Sequence, residues 1–548
     1  MKRIFFTVFI LTITWSGFAQ KTEFTHQDTL RGSITPEREW WDLTYYHLSV
    51  AVNPNDSSFM GSNLIQYRVS EPKQVIQIDL QPPMKINRII QDGVEQNYTR
   101  DGNAWFVALN KTQTTGDVNE LLVEYSGKPK VSRRPPWDGG VSWRKDVNGN
   151  DFITTTVQGD GASLWWPCKD HPYDEPDSML ISITFPEHLM DVSNGRLRKV
   201  EQNENGTKTA HWFVNNPING YGVNINIGNY VHWHEVYKGE KGDLDCDYWV
   251  LDYNLKKAKK HFKQAPMMLE AFEHWFGPYP FYEDGYKLVE VPYPGMEHQS
   301  SVTYGNGFEN GYGGRDISGS GWGHKFDFII VHESGHEWFA NSITNWDEAD
   351  MWIHESFIAY SENLFVDYYW GKNASAEYCR GTRQNIYNDR PVLGIHGVNY
   401  PGSGDMYPKG SNMLHTMRQI IDNDEEWRQL LRDLGQHFYH KTVKTTEIEK
   451  YIIEKTGRDF QPVFNQFLRD TRIPTFEYAL QDGELKYRWA NCVDDFNMML
   501  KVYINGELTW LQPTQRWATL APEQTVKSVE VDKDFYVASF CISDTENK

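Results

Sequence analysis

Apolar and polar residues alternate along much of the first half of the chain. Segments such as His47 to Val52 and Val75 to Leu80 place apolar side chains at every second position, which is typical of half-buried β-strands. Turn-forming stretches such as Asn53 to Asp56 separate these segments. From about residue 39 to residue 233, the pattern predicts a large antiparallel β-sheet domain.

The period of the pattern changes near Asn254. Leu255 to Phe276 carries apolar residues at helical spacing, and helical patterns dominate as far as about Arg472. A loop from Gly305 to Gly323 interrupts them with eight glycines. This loop has neither glycine-rich phosphate-binding pattern, GxxxxGK[ST] or GxGxxG after a strand, so we interpret it as a flexible flap. From Thr475 onward the segments are again β-like.

These changes predict an α+β protein of several domains. We expect an N-terminal antiparallel β domain, a mainly helical middle domain and a small, β-sandwich-like C-terminal domain. The predicted boundaries are 1–19 for a signal peptide, 20–245, 246–473 and 474–548.

The first twenty residues have the layout of a secretory signal peptide. Lys2 and Arg3 precede a mostly apolar run from Ile4 to Trp15, and the small residues Gly17 and Ala19 fit a cut after Ala19. The run is too short to span a bilayer comfortably, and no later segment is long and apolar enough. We therefore expect an exported protein, periplasmic or secreted, with no membrane span in the mature chain.

Composition narrows the possible partners. The 548 residues carry a formal net charge of −20, and such an acidic surface repels phosphate backbones, so we expect no nucleic acid partner. The five cysteines include no CxxC pair, which excludes a cysteine zinc site. A bridge between Cys492 and Cys541 is left open, and no pattern bears on the oligomeric state.

The segment with most chemical information is Val331 to Trp338, which contains an HExxH motif. On a helix this spacing places His332 and His336 one turn apart on the same face, where both imidazoles can reach one Zn²⁺. Glu333 then lies beside the open position of the metal and can take a proton from its water. The alternative is a partly buried helix whose histidines only form hydrogen bonds.

A third candidate ligand favours the metal site. Eighteen residues lie between His336 and Glu355, and a second, antiparallel helix would return this carboxylate to the metal. Two histidines, one glutamate and water form a catalytic zinc set, whereas structural zinc sites have four protein ligands. Glu362 follows Glu355 by seven residues on the same helical face. It is a candidate acceptor for a ligand imidazole N–H, although a plain surface glutamate is equally compatible.

HExxH, eighteen residues and Glu resemble the zinc signature of the gluzincin aminopeptidases, the family of aminopeptidase N and leukotriene hydrolase. That family carries a GxMEN motif upstream, and Gly295, Met296 and Glu297 match it, with Pro294 and His298 as departures. By the resemblance, these residues bind the substrate and Glu297 holds its free amino group. The resemblance also implies a thermolysin-like catalytic domain, in a short form without the large C-terminal helical domain of many members.

Two further positions match the family. Tyr407 lies in Tyr-Pro-Lys-Gly where the family has Tyr-Glu-Lys-Gly, which implies that its hydroxyl stabilises the oxyanion. Gln158 precedes the segment Trp165 to Asp170 at the distance of the family residue that helps to bind the amine. Packing for Tyr407 and a structural amide for Gln158 are the competing interpretations.

Together these residues predict a zinc aminopeptidase with one Zn²⁺, acting on peptides with a free N-terminus. Glu333 is the expected general base and acid. Two alternatives stay open. One is an endopeptidase or an epoxide hydrolase on the same scaffold, and the other is a peptide-binding module without turnover.

Overall fold

The computed structural model describes residues 23–520 and 525–542. The signal peptide predicted for residues 1–19 lies outside these ranges. No helix within them is both long and apolar enough to cross a membrane. All five cysteines fall inside the described ranges and are free thiols, so Cys492 and Cys541 are not bridged in this structure.

The N-terminal domain is built on a twisted sheet in the strand order β13-β14-β11-β1-β2-β8-β4-β5. Its strands are mainly antiparallel, as predicted, with β1 and β11 running parallel. Two smaller sheets, β12-β15-β10-β9 and β3-β7-β6, complete the domain. Helix α1 (His26–Gly32) precedes the strands β1 to β15, which are Trp41–Asn53, Ser58–Val69, Val75–Asp79, Lys85–Gln91, Val94–Glu95, Asn97–Asp101, Ala104–Ala108, Val118–Gly127, Gly140–Lys145, Asp151–Thr156, Ser178–Pro186, Met190–Val192, Arg196–Gln202, Thr207–Val214 and Asn226–Gly228.

A further sheet of five strands links this domain to the helices and was not predicted. Its order is β16-β17-β18-β20-β19, and the strands are Tyr230–Gly239, Gly242–Leu251, Tyr286–Glu290, Gly295–Met296 and Val302–Tyr304 for β16 to β20. β18 to β20 are short and completely buried, so they lack the alternation that marks a half-buried strand. The domain boundary predicted between residues 245 and 246 falls inside β17.

The middle domain is otherwise helical, as expected. Helix α5 (Trp352–Trp370) is buried along most of its length, and Gly371 follows its last residue with a φ of +87°, which favours glycine. Beyond the linking sheet, its strands are the parallel pair β21 and β22, Ile343–Asn345 and Lys441–Val443. Helices α2 to α10 are Leu255–His261, Gln264–Phe276, Phe328–Gly335, Trp352–Trp370, Lys372–Thr382, Pro408–Ile421, Asp424–His437, Thr445–Thr456 and Gln461–Arg469.

The C-terminal domain forms two small sheets in the orders β27-β24-β23-β29 and β26-β25-β28. It shares one continuous apolar core with the helical domain. Polar contacts also join the two domains. Asp534 pairs with Arg380 of α6, and the Tyr536 N–H donates a hydrogen bond to the Thr416 hydroxyl of α7 at 3.1 Å. Strands β23 to β29 are Thr475–Gln481, Glu484–Ala490, Leu500–Ile504, Glu507–Leu511, Ala518–Leu520, Val529–Val531 and Ala538–Cys541.

Candidate metal centre and substrate cavity

Helix α4 presents the HExxH motif. Asp327 caps its N-terminus, since its carboxylate accepts a hydrogen bond from the Ile330 N–H at 3.1 Å. The helix ends at Gly335, and His336 follows with right-handed helical backbone angles, so the two imidazoles stay one turn apart. A Cβ added to Gly335 would lie 3.0 Å from the Ser361 hydroxyl, so glycine lets α5 approach closely.

His332, His336 and Glu355 meet in the buried space between α4 and α5. Glu355 Oε2 lies 3.6 Å from His332 Nε2 and 3.4 Å from His336 Nε2. The imidazole planes are inclined at 81°. Within the described ranges, this is the group of three ligand-type residues close enough to hold one metal ion. Burial opposes ionisation of Glu355, but the two imidazoles outweigh it and hold its pKa below the usual range.

Glu362 orients His332 through Nδ1, the ring nitrogen that does not face Glu355. Its Oε1 lies 2.8 Å from His332 Nδ1, and its Oε2 accepts a hydrogen bond from the Tyr378 hydroxyl at 2.6 Å. The Nδ1 of His336 lies 3.0 Å from the Phe339 carbonyl oxygen. Because each Nδ1 has an acceptor, both Nε2 atoms stay available towards Glu355.

Glu297 lies at one end of the same cavity. Gln158 reaches it from the N-terminal domain, 139 residues earlier, and donates from Nε2 to Glu297 Oε1 at 2.6 Å. The same amide lies 3.4 Å from Glu355 Oε1. Met296 and Gly295 form β19 beside them. A Cβ on Gly295 would lie 2.5 Å from Ile329 and 3.1 Å from the Glu333 side chain, so this strand passes very close to α4.

Glu333 and Tyr407 line this cavity, which has a volume of about 330 Å³. Burial raises the pKa of Glu333 to about 7, with Glu297 adding to the rise and the imidazoles opposing it. The Tyr407 ring stacks at 6.0 Å on His332, and 39% of its surface is exposed. Loss of water around its hydroxyl, followed by the Glu355 charge, raises the pKa of Tyr407 well above its usual value. The hydroxyl is therefore a neutral donor at ordinary pH.

Three aromatic residues of the cavity were not predicted. Phe328 stacks on His332 with ring centroids 5.0 Å apart, and its position four residues before that histidine on α4 was a usable signal. Tyr312 comes from the glycine-rich loop and Trp137 from a loop of the N-terminal domain. Neither has a local sequence pattern that points to the cavity, because only tertiary folding brings it there.

Two histidines and a glutamate around one position, with a further buried carboxylate alongside, define a metal centre of the HExxH type. Residues 43–221 match the Peptidase M1 N-terminal domain, and residues 261–467 match the Peptidase family M1 domain. The chain belongs to peptidase family M1, in agreement with the predicted resemblance to the gluzincin aminopeptidases.

Known proteins of this family are distant in sequence but similar in fold. The leucyl aminopeptidase of Saccharolobus solfataricus is 21% identical over 453 residues, which cover 77% of this chain and 55% of that protein. Aminopeptidase N of Lactobacillus delbrueckii subsp. lactis is 22% identical over 466 residues, which cover 81% of this chain and 52% of that protein. The chain thus spans about half the length of the curated relatives it matches. The M1 zinc metallopeptidase of Deinococcus radiodurans superimposes with a TM-score of 0.66 at 19% identity, covering 80% of this chain and 95% of that one.

The family implies one zinc ion, and the three residues fit it. Two ligands at tetrahedral angles around zinc lie about 3.3–3.4 Å apart, close to the separations between Glu355 Oε2 and the two Nε2 atoms. Glu355 Oε2 is buried without a hydrogen-bond partner, as expected for an atom reserved for a metal. Three protein ligands leave a fourth position for water or substrate.

The contact between Glu362 and His332 predicts an effect on metal affinity. We expect Glu362→Leu to lower the affinity for Zn²⁺ about 10–100-fold, because the imidazole loses its acceptor and its orientation. Competition with a chromophoric chelator measures this directly. Glu362→Gln, which keeps an acceptor oxygen, should lie between the leucine variant and the original protein. An unchanged affinity in Glu362→Leu would contradict the assigned role.

Proposed function

We propose that the protein is a zinc aminopeptidase that removes the N-terminal residue of peptides. The observation that carries the proposal is the position of Glu297, a buried carboxylate in the cavity of the metal ligands whose close partner is the neutral amide of Gln158. A buried carboxylate without a cation is costly, and a substrate ammonium group would supply that cation.

The same placement explains selectivity for the end of a peptide. If the ammonium group binds Glu297 and Gln158, the first peptide carbonyl reaches the metal position beside Glu355. An internal peptide bond brings no ammonium group to this point, so an endopeptidase gains nothing from Glu297. This supports the aminopeptidase over the endopeptidase and over an epoxide hydrolase.

In the proposed mechanism, His332, His336 and Glu355 would hold a Zn²⁺ ion, which would supply the Lewis acidity that polarises the scissile carbonyl and lowers the pKa of the attacking water. Glu333 accepts a proton from that water as it attacks and later delivers the proton to the leaving amine. A carboxyl group whose burial raises its pKa suits both proton transfers. The Tyr407 hydroxyl donates a hydrogen bond to the oxygen that gains negative charge in the tetrahedral intermediate.

Cleavage of paired substrates tests the proposal. We expect aminoacyl fluorogenic amides to be cleaved and their N-acetylated twins to be left intact, with all cleavage lost after zinc chelation. Glu297→Gln should lower kcat/KM for the free-amine substrates at least about hundredfold while zinc content stays the same, because a buried charge pair is lost.

The other functions give different results in the same assay. Equal cleavage of acetylated and free substrates would indicate an endopeptidase. Turnover of an epoxide without peptide cleavage would indicate an epoxide hydrolase. No turnover, with zinc and peptide still bound, would indicate a peptide-binding module.

The role of Tyr407 predicts a separate effect. Tyr407→Phe keeps the ring that stacks on His332 but removes the donor, so kcat should fall about 10²–10³-fold. KM for the same substrate should change little, since the hydrogen bond forms mainly in the transition state. Steady-state kinetics on one aminoacyl amide separates the two constants. A rise in KM with kcat unchanged would argue for a role in ground-state binding instead.

We also propose that the protein is exported to the periplasm or beyond. The support is the basic start, apolar run and small residues of the first nineteen positions. N-terminal sequencing of the protein recovered outside the cytoplasm should begin at Gln20. An uncleaved chain that stays in the cytoplasm would rule out export.

A further inference from the structure

Gln158 lies in a tight turn of the N-terminal domain, residues 157–164, here called the Gln158 turn. The turn closes on itself, because the Gly161 N–H donates a hydrogen bond to the Val157 carbonyl oxygen at 2.7 Å. Gln158 donates from Nε2 to Glu297, which leaves its Oε1 as the acceptor that a substrate ammonium group needs. The accuracy of this contact therefore depends on what holds the turn in place.

Two side chains hold the main chain of the Gln158 turn. Asp170 is buried, and its carboxylate accepts hydrogen bonds from the Ala162 N–H at 3.2 Å, the Ser163 N–H at 3.1 Å and the Ser163 hydroxyl. From the helical domain, Asn399 donates from Nδ2 to the Gly159 carbonyl oxygen at 3.1 Å. Of these two supports, Asp170 is the charged one, and a buried carboxylate is costly unless a cation accompanies it.

Arg31 of helix α1 supplies that cation. Its Nη1 lies 3.0 Å from Asp170 Oδ2 and also donates a hydrogen bond to the Asp170 carbonyl oxygen. A Cβ added to Gly161 would lie 2.1 Å from Arg31 Nη2, so the guanidinium group lies directly against the Gln158 turn. A side chain 139 residues earlier than Asp170 thus reaches both the carboxylate that holds the turn and the turn itself.

The main chain that carries Arg31 is itself held. Arg38 donates from Nη1 to the Leu30 carbonyl oxygen at 2.9 Å, and from Nη2 to the Asp79 carboxylate at 2.7 Å. The same Asp79 oxygen accepts a hydrogen bond from the Asp170 N–H at 3.1 Å. The end of α1 and the residue that Arg31 supports therefore belong to one network, which gives the Arg31 guanidinium group a fixed base.

We propose that Arg31 is a positioning residue for the amine site. By pairing with Asp170 it holds the Gln158 turn, so that the Gln158 amide reaches Glu297 and the ammonium group of the substrate. Helix α1 ends before residue 43, where the match to the M1 N-terminal domain begins, so this support comes from a segment outside the matched range. The inference rests on the proposed aminopeptidase activity.

Kinetics of an Arg31 variant give the first test. In Arg31→Gln we expect KM for a leucine fluorogenic amide to rise about tenfold, the usual cost of one hydrogen bond to a charged group. The value of kcat should change little, because the amine contact serves the bound substrate and the transition state alike. Arg31→Lys keeps the charge and should recover part of the loss. Arg88→Gln makes the same change at a half-exposed position of β4 and should have no effect. An unchanged KM in Arg31→Gln would overturn the inference.

A pair of inhibitors separates the amine site from the rest of the cavity. Leucine hydroxamate and its analogue without the amino group differ only in the group that Glu297 and Gln158 would bind. By calorimetry on the zinc-loaded protein, Arg31→Gln should weaken leucine hydroxamate about tenfold and leave the analogue unchanged. Equal weakening of both would show a general disturbance of the cavity and would contradict the proposed role.

A double-mutant cycle tests whether Arg31 acts through Gln158. Once Gln158→Ala has removed the amide, Arg31→Gln should raise KM no further, whereas two independent effects would multiply. The midpoint of thermal unfolding should fall by the same amount in both backgrounds, since the ion pair with Asp170 is lost in each. Multiplying effects on KM would reduce Arg31 to a structural residue. If Arg31→Gln does not fold, Arg31→Lys takes its place in the cycle, with a smaller effect expected and the same criterion.

Failure of this inference differs from failure of the proposed function. If the zinc-loaded original protein cleaves no free-amine substrate and binds both hydroxamates equally, the aminopeptidase activity and its amine site are wrong. If the original protein cleaves these substrates and Arg31→Gln keeps the original KM, only the role of Arg31 is wrong.

Discussion

Glu297, Glu333 and Glu355 line one small cavity together with two imidazoles. Burial raises the pKa of Glu297 and Glu333, because their charged forms lose contact with water. In the proposed reaction, a divalent zinc ion balances the charge near Glu355, and the ammonium group of the substrate balances that of Glu297. The site is thus nearly balanced only when metal and substrate are both present. In this proposal, peptides without a free amino group leave one carboxylate uncompensated, so charge balance and the proposed selectivity have the same origin.

Much of the metal centre could be predicted because its information is local. The spacing of His332 and His336 needs only one helical turn, and Glu355 and Glu362 share a face of the next helix. The alternating N-terminal segments and the helical middle also follow from their periods. The linking sheet β16 to β20 could not be predicted in this way. Its central strands are buried on both faces, so apolar and polar residues do not alternate along them. Trp137 and Tyr312 were missed for a related reason: each reaches the cavity from a loop whose path depends on the whole fold. Gln158 was reached through family resemblance, and its contact spans 139 residues.

The substrate cavity draws on separate parts of the chain, each with its own task. The N-terminal domain supplies Gln158 and Trp137, the edge strand β19 leads into Glu297, and α4 and α5 supply the metal ligands. The close approach of β19 to α4 depends on Gly295, where a side chain would collide with Ile329. Such an arrangement positions a reacting group accurately only if the domains pack as a unit, and a misplacement of about 1 Å can cost about hundredfold in rate. Within the middle domain, the Glu337 carboxylate accepts hydrogen bonds from the Tyr279 hydroxyl and the Ser300 N–H directly behind the motif.

The contacts of Asp534 and Tyr536 with α6 and α7 bear on how the protein matures. Both residues leave the ribosome more than a hundred positions after Tyr407, which precedes α7. A nascent chain can therefore contain all three metal ligands while α6 and α7 still lack their contacts with Asp534 and Tyr536. Because the helical and C-terminal domains share one apolar core, the packing of the helical domain is complete only once its neighbour has been synthesised. The proposed activity would then arise only after the C-terminal domain has been synthesised and has packed against these helices.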